Sequence, residues 1–190
     1  MSDEVSPPDP DLPLVRALAG GDDGALNELI AKYKEPLFRF AYRYVADEQQ
    51  ALDITQETFV RAYFGIGRFR PRAKFVAWLY GIATNLCRDW ARGKAHRQAQ
   101  LTVSLEEAAT AAHSPAPTPA REAESHERMA TLEAAIFELP HHLRTALILF
   151  ALEGHSQQEC AELLGISAKA VETRVYRARK LLKKMLHELR

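Results

Sequence analysis

The 190-residue chain has few of the features that mark secreted or membrane proteins. Its two cysteines, Cys87 and Cys160, form no CxxC or Cys/His ligand spacing, which is typical of a reducing compartment. No apolar run approaches the roughly 18–20 residues that a membrane helix needs. The acidic, Pro-rich start lacks the basic and apolar segments of a secretory signal. These absences predict a cytoplasmic protein.

Patterns of catalytic residues are also missing. The sequence has neither a GxxxxGK[ST] phosphate loop nor a GxSxG nucleophile turn. His141 and His142 follow Pro140 without a matching ligand pair, which favours a surface position over a metal site. Cys160 occupies a helix position of the kind that is usually buried, so we expect it in the core. The sequence does not decide the position of Cys87. We therefore expect no enzyme activity, no metal and no cofactor.

Apolar residues recur at three- and four-residue steps through most of the chain, and no alternating run indicates a strand. The expected fold class is all-α, with two small helical domains joined by a flexible linker. In the first domain, helices are expected at about 25–45, 48–64 and 73–96, with a Gly- and Pro-containing loop at 65–73.

Residues 98–125 differ in composition and contain prolines at alternate positions from Pro115 to Pro119. Such prolines deny a helix its backbone donors, which indicates a linker. We expect a disordered tail at 1–11, a first domain at 12–97, the linker at 98–125 and a second domain at 126–190.

The second domain is expected to hold four helices, of which the last two have clear end signals. Ser156 and Glu159 fit a capping box for the third helix, which ends at Gly165 in a sharp turn. Ser167 then caps a long basic helix. A capped helix, a short Gly turn and a basic helix are the plan of a helix-turn-helix.

Net charge is zero, with 25 Lys and Arg against 25 Asp and Glu, but the charges are segregated. Residues 61–97 contain nine Lys and Arg against one acidic residue, and residues 169–190 contain eight against two. The segments 1–28 and 98–127 are acidic. Two basic blocks of this kind indicate a nucleic-acid partner.

The last helix has the pattern of a recognition helix if Val171, Val175 and Ala178 point inward. Base-reading and phosphate-binding side chains then share the outer face, as a helix in the major groove requires. These outer residues are Lys169, Glu172, Thr173, Tyr176, Arg177 and Lys180. The alternative is a solvated basic helix that complements its own dipole. The capped turn before the helix favours DNA binding.

Aromatic residues interleave with the cations of the first basic block, a composition suited to single-stranded DNA. Phe75 and Trp78 lie on the apolar stripe and are favoured as core residues. Tyr63, Phe64 and Phe69 flank the loop and are left open between core and base-stacking roles.

In this order and spacing, the motifs resemble the extracytoplasmic-function sigma factors, the RpoE-like subfamily of the sigma-70 family of bacterial initiation factors. The matching residues are Gly21, Asp22, Ala25, Leu29 and Tyr33; 51–59 (ALDITQETF); 75–79 (FVAWL) and 82–85 (IATN) with Asp89 and Arg92; Leu139, Pro140 and Arg144; 163–167 (LLGIS); and 171–179 (VETRVYRAR). The resemblance covers about residues 14–97 and 128–187.

The resemblance implies an alternative sigma factor that binds bacterial core RNA polymerase and promoter DNA, with catalysis left to the polymerase. The residues implied in binding core polymerase are Asp53, Gln56 and Glu57. Those implied at the minus-ten element are Arg68, Phe69, Arg70, Arg72, Lys74, Asn85, Arg88 and Arg92. Those implied at the minus-thirty-five element are Lys169, Glu172, Thr173, Arg174, Tyr176 and Arg177. An anti-sigma factor is a further implied partner, whereas membrane insertion and a homo-oligomer are not expected.

Three departures from the family pattern stand out. Leu52 stands where Glu is usual, Lys169-Ala170 replaces a frequent Gly-Thr pair, and Glu172 replaces Arg or Lys. A stand-alone helix-turn-helix regulator is the main alternative function, but it gives no reason for the pattern at 51–92. A protein adaptor that does not bind DNA is the third.

Overall fold

In the computed structural model, residues 9–70, 74–104, 129 and 131–188 are described. Among them the chain is helical and contains no β-strand, so the predicted all-α class with two helical domains is confirmed. The helices are α1 (Leu12–Ala19), α2 (Asp23–Val45), α3 (Glu48–Gly65), a 3-10 turn (Ile66–Arg68), α4 (Phe75–Ser104), α5 (131–137), α6 (His141–Leu147), a π-helical turn (Ile148–Leu152), α7 (Gln157–Leu164) and α8 (Ala168–Glu188).

Two features of the first domain differ from the sequence-based expectation. Helix α1 was not expected. It is short, and only Val15 and Leu18 in it are buried. Pro13 in its first turn supplies a backbone angle suited to a helix start. Helix α4 continues past the expected end at His96 to Ser104, because Gln, Ala and Leu favour helix there and no Gly or Pro interrupts them. The first residues assigned to the linker are therefore helical.

Helix α2 is the centre of the first domain and packs against α1, α3 and α4. Its buried stripe includes Leu29, Leu37 and Phe40, each at most 1% exposed. The Asp22 carboxylate accepts a hydrogen bond from Gly24 N at 2.9 Å, and this cap fixes the start of α2. Asp47 caps α3 in the same way through Gln50 N at 2.9 Å. Both helices thus begin at defined residues.

The helix-turn-helix is present in the second domain, as the sequence predicted. Ser156 Oγ accepts from Glu159 N at 3.2 Å, and the Glu159 carboxylate accepts from Ser156 N at 2.7 Å, which completes the capping box. Gly165 adopts φ 63°, a left-handed conformation that favours glycine. Ser167 Oγ accepts from Ala170 N at 3.2 Å at the start of α8.

The two domains are in direct contact, and His141 lies at the contact. Its Nδ1 atom shares a hydrogen bond with the Tyr44 hydroxyl at 2.6 Å. Burial, with smaller effects of Arg88 and Arg144, lowers the pKa of His141 to about 4. His142 is exposed, as expected, whereas His141 is half-buried, because α2 packs against the start of α6 and no local sequence pattern indicates that contact.

Candidate nucleic-acid and polymerase interfaces

Helix α8 has the division into two faces that the sequence predicted. Val171, Val175 and Ala178 are buried, so they fasten the helix to the second domain. The opposite face is turned to solvent, with Tyr176 67% exposed. Of the residues assigned to this face, Lys169, Glu172, Tyr176, Arg177 and Lys180 are exposed and Thr173 is half-buried. Arg174, assigned to the minus-thirty-five element through the resemblance, is also half-buried.

Local bonds restrain part of this face. Lys169 Nζ lies 2.9 Å from the Glu172 carboxylate, one helical turn away. Because both side chains are well exposed, the pair contributes about 0–1 kcal/mol, and either group can exchange its partner for DNA. Thr173 Oγ1 donates to the Lys169 carbonyl at 2.8 Å.

Aromatic packing accounts for one of the residues flanking the loop at 65–73. The Phe69 ring lies 6.0 Å from Phe75 and 5.4 Å from Trp78, measured between centroids. Phe75 is buried, as expected for a core residue, whereas Trp78 and Phe69 are half-buried. A Cβ on Gly65 would lie 3.3 Å from Trp78 Cζ2, so glycine lets α3 approach this cluster. Phe64, by contrast, is 80% exposed.

Polar and cationic residues of α4 lie on one face. Asn85, Arg88 and Arg92 are spaced three and four residues apart, so their side chains lie one above another. Asn85 and Arg92 are exposed and Arg88 is half-buried. From the preceding loop, Arg68 and Arg70 are exposed, Lys74 is half-buried, and Arg72 lies outside the described residues.

The N-terminal segment is fastened to the start of α4, which the sequence analysis missed. Asp9 Oδ2 accepts a hydrogen bond from Phe75 N at 2.6 Å, and Asp9 Oδ1 accepts from Asp11 N at 3.0 Å. Asp11 is 2% exposed and is bonded by Lys32 and Tyr33. Burial, and then the Asp11 contact, raises the pKa of Tyr33. The sequence Asp9-Pro10-Asp11 could have indicated these contacts, but these residues were expected to lie in a disordered tail.

The residues assigned to polymerase binding share one face of α3. Asp53 and Gln56 are exposed and Glu57 is half-buried. The Asp53 carboxylate accepts from Gln49 Nε2 at 3.2 Å, and Glu57 lies 2.7 Å from Arg61 Nε. These bonds lie within α3, so the acidic groups can bind a partner without disturbing the domain core.

An apolar groove adjoins this face and was not predicted. Val60 is 47% exposed and Tyr63 39% exposed on the later turns of α3. Together with Phe59, they line a groove against Leu26 and Ile30 of α2. The sequence could not indicate this exposure, because the same apolar spacing also describes a buried stripe.

Other kinds of site find no support in the part of the chain that is described. It contains no group of three or more His, Cys, Asp or Glu placed to hold a metal ion. None of its helices combines the length and apolar character needed to cross a membrane. Cys87 and Cys160 are buried free thiols, so the predicted core position of Cys160 is confirmed. Burial raises the pKa of Cys160 to about 11, which keeps it unreactive.

Comparison with known proteins identifies both domains. Residues 29–97 match the family model for sigma-70 region 2, and residues 129–182 match that for sigma-70 region 4. The chain is similar to the RNA polymerase sigma-H factor of Pseudomonas aeruginosa, with 33% identity over 94% of this chain and 95% of that protein. It is 32% identical to the ECF RNA polymerase sigma factor SigW of Bacillus subtilis, over 92% of this chain and 96% of the relative.

The fold is similar to a solved structure as well. The structure of CnrH in complex with the cytosolic domain of CnrY matches at a TM-score of 0.62 and 28% identity. The match covers 94% of this chain and 97% of CnrH.

Proposed function

Because the chain belongs to the ECF RNA polymerase sigma factors, we propose how its two helical domains share the work of promoter-specific initiation. It is an alternative sigma factor and not an enzyme: it binds core RNA polymerase, which carries out the catalysis. A stand-alone regulator would need only the helix-turn-helix and would have no use for a region 2 match at 29–97.

The observation that supports upstream promoter readout is the solvent-facing side of α8. Buried valines hold the helix while Glu172, Tyr176 and Arg177 project outward. A carboxylate can accept a hydrogen bond from cytosine N4, and Arg can pair with guanine or a phosphate. We assign binding of the minus-thirty-five duplex to this face. Lys169, Thr173 and Arg174 are the other residues assigned to that contact.

Helix α4 and the loop before it suit the minus-ten element. Arg88 and Arg92 supply positive charge along one face, and Asn85 supplies an amide that can hydrogen-bond a base. Extruding a base from the duplex costs a few kcal/mol, so cationic contacts to the strand must offset it. Arg68, Phe69, Arg70, Arg72 and Lys74 of the loop are assigned to capture of that base.

The exposed acidic turn of α3 suits the polymerase. Asp53, Gln56 and Glu57 present two carboxylates and an amide, which can pair with cationic and polar groups on a partner surface. The family role of this segment supports docking on the largest polymerase subunit. Within this scheme, residues 12–97 form the polymerase and minus-ten module, residues 126–190 form the minus-thirty-five module, and residues 98–125 connect them.

An anti-sigma factor is the regulatory partner we propose. The related CnrH is solved with the cytosolic domain of CnrY. In the present chain, Phe38 and Tyr42 of α2 face Ile136 and Leu152 of the second domain across an apolar cavity of a kind that an inhibitor can fill. The whole assembly would act in the cytoplasm, together with RNA polymerase.

Three alanine variants test the division of labour. Asp53→Ala should weaken core polymerase binding, Arg92→Ala should reduce minus-ten melting, and Arg177→Ala should reduce upstream duplex affinity. The matched readouts are core affinity, permanganate reactivity of the melted strand and duplex binding. Arg16→Ala, which removes an exposed cation from α1, is the control. Equal loss in all three readouts for any one variant would contradict the assignment.

A further inference from the structure

We propose that the free chain latches itself closed, with its second domain packed over part of the proposed DNA path, and that this closure weakens its binding to single-stranded DNA. The proposal rests on the proposed minus-ten role of the loop and of α4. The closure itself is seen in side-chain contacts between the domains, which do not depend on that role.

The first contact occupies a proposed DNA ligand. Lys74 Nζ lies 2.5 Å from the carboxylate of Glu162 on α7, and the two side chains are 25% and 37% exposed. Helix α7 also packs along α4. A strand that approaches Lys74 must therefore displace Glu162, and the carboxylate repels the phosphates while it remains there.

The second contact fastens α2 to the turn before α7. The Glu153 side chain is 5% exposed and lies between two arginines, with Arg39 Nε at 3.3 Å and Arg43 also bonded. A carboxylate this deeply buried depends on its cationic partners. Separation of the domains returns all three groups to water, so this contact can form and break without unfolding either domain.

Aromatic and cationic side chains also meet where the two domains touch. The Arg144 guanidinium carbon lies 4.8 Å from the centroid of the Tyr44 ring and 4.5 Å from that of Phe137. Tyr44 is also hydrogen-bonded to His141. The charges of Arg88 and Arg92 act on His141, which places the start of α6 beside the proposed DNA face of α4.

The chemistry of the contact is that of a reversible interface. It includes ion pairs, a cation–π contact and tilted or edge-on ring contacts, and interfaces of this kind between domains are prone to relative motion. A ligand that prefers the open arrangement shifts the population by its difference in affinity for the two arrangements. Core polymerase is proposed to bind through α3, which carries none of the residues in these ion pairs. Bound polymerase therefore leaves the two domains free to separate.

The test removes the two carboxylates that hold the domains together, those of Glu153 and Glu162, from the full chain. Spin labels are attached through Glu48→Cys and Gln158→Cys, which are exposed positions in the two domains. The native Cys87 and Cys160 are 0% exposed and resist labelling. Interdomain distances are measured in otherwise unmodified protein and in the double variant Glu153→Gln/Glu162→Gln. Binding to a short fluorescent single-stranded DNA of randomised sequence is measured alongside.

The control is Glu35→Gln, because Glu35 pairs with the same Arg39 but within α2, at 3.5 Å. Its gain in DNA affinity, applied once for each of the two carboxylates removed in the double variant, corrects for the general effect of removing negative charge. The parent should show one short, narrow distance distribution. The double variant should show a longer, broader one and bind single strands about tenfold more tightly, whereas Glu35→Gln should retain the short distance.

A short distance that persists in the double variant would overturn the latch. A longer distance with no gain in affinity beyond the gain of Glu35→Gln applied for two charges would overturn the inhibitory role. Absence of DNA binding by the opened variant would also overturn it. If the unmodified protein still supports transcription with core polymerase, the proposed function stands and only the latch is contradicted.

Discussion

The carboxylate of Asp9 accepts a hydrogen bond from the backbone N–H of Phe75, the first residue of α4, at 2.6 Å. The contact joins the N-terminal segment to the loop that we assign to base capture. It also satisfies one of the free N–H groups at the helix start. The segment before α1 therefore helps to set the position of the proposed minus-ten site.

Asp9→Ala tests this relationship. Loss of a capping carboxylate should lower the free energy of unfolding by about 1 kcal/mol, measured by urea denaturation. Because the cap lies at the loop, promoter melting should also fall. Asp22→Ala removes a comparable cap from α2, where Asp22 accepts from Gly24 N at 2.9 Å, and is the control. Equal melting by the two variants would contradict a positioning role for Asp9.

Closure should depend on pH through His141. Its pKa is lowered to about 4 in the closed chain and returns toward 6.5 when the contact opens, so the open form binds the proton more readily. The contribution of His141 to closure is therefore complete above about pH 6.5 and is lost as the pH falls toward 4. The label distance should lengthen over this interval.

His141→Gln should remove that part of the pH dependence, whereas His142→Gln, at the exposed neighbouring position, should retain it. Identical pH profiles for both variants would show that the Tyr44–His141 contact does not couple closure to protonation.

Leu52 is the departure on the polymerase-binding helix. It is half-buried beside the exposed Asp53, and family members usually carry Glu there. Leu52→Glu should leave the affinity for core polymerase equal or tighter, because a second carboxylate joins the same face. Leu52→Gln separates the effect of charge from that of size. A clear loss of affinity in the Glu variant alone would contradict the assigned alignment.

Glu172 is the departure on the recognition helix. Its carboxylate pairs with Lys169 at 2.9 Å but remains exposed, so it can reach the edge of a DNA base. Glu172→Arg should change the preferred minus-thirty-five sequence, with about 1–3 kcal/mol of discrimination at the contacted base. Run-off transcription from a promoter library measures it, and unchanged minus-ten preference and core affinity are the internal controls. The same upstream preference in both proteins would refute the base contact.

Gly165 fixes the turn of the helix-turn-helix. Its φ of 63° is unfavourable for a residue with a Cβ, although nothing lies within 4 Å of a Cβ built there. Gly165→Ala should cost about 1 kcal/mol of stability through the backbone alone and should weaken duplex binding. Gly67→Ala, also in open space but without a positive φ, should cost less. Equal losses in urea denaturation would contradict the backbone explanation.

The sequence predicted the features that depend on local pattern. The buried stripe of α8, the Ser156 capping box and the Gly165 turn each follow from a few neighbouring residues, and all three are present. The acidic face of α3 was assigned through family resemblance, and the structure shows its side chains accessible, although their polymerase role stays a prediction.

The features that it missed depend on contacts between distant segments. Asp9 reaches Phe75, Tyr44 reaches His141 and Lys74 reaches Glu162, and no periodicity encodes such pairs. The extension of α4 was missed for another reason: the composition change at residue 98 was taken as a boundary, although Ala, Gln and Leu there support a helix.

The central claim is that this chain directs initiation by core polymerase at its own promoters. Run-off transcription from a promoter library, with bacterial core RNA polymerase and with or without the protein, tests it most directly. The expected result is a set of protein-dependent start sites that share an upstream duplex element and a melted element at fixed spacing. Absence of protein-dependent starts, together with sequence-specific duplex binding by the chain alone, would contradict the claim.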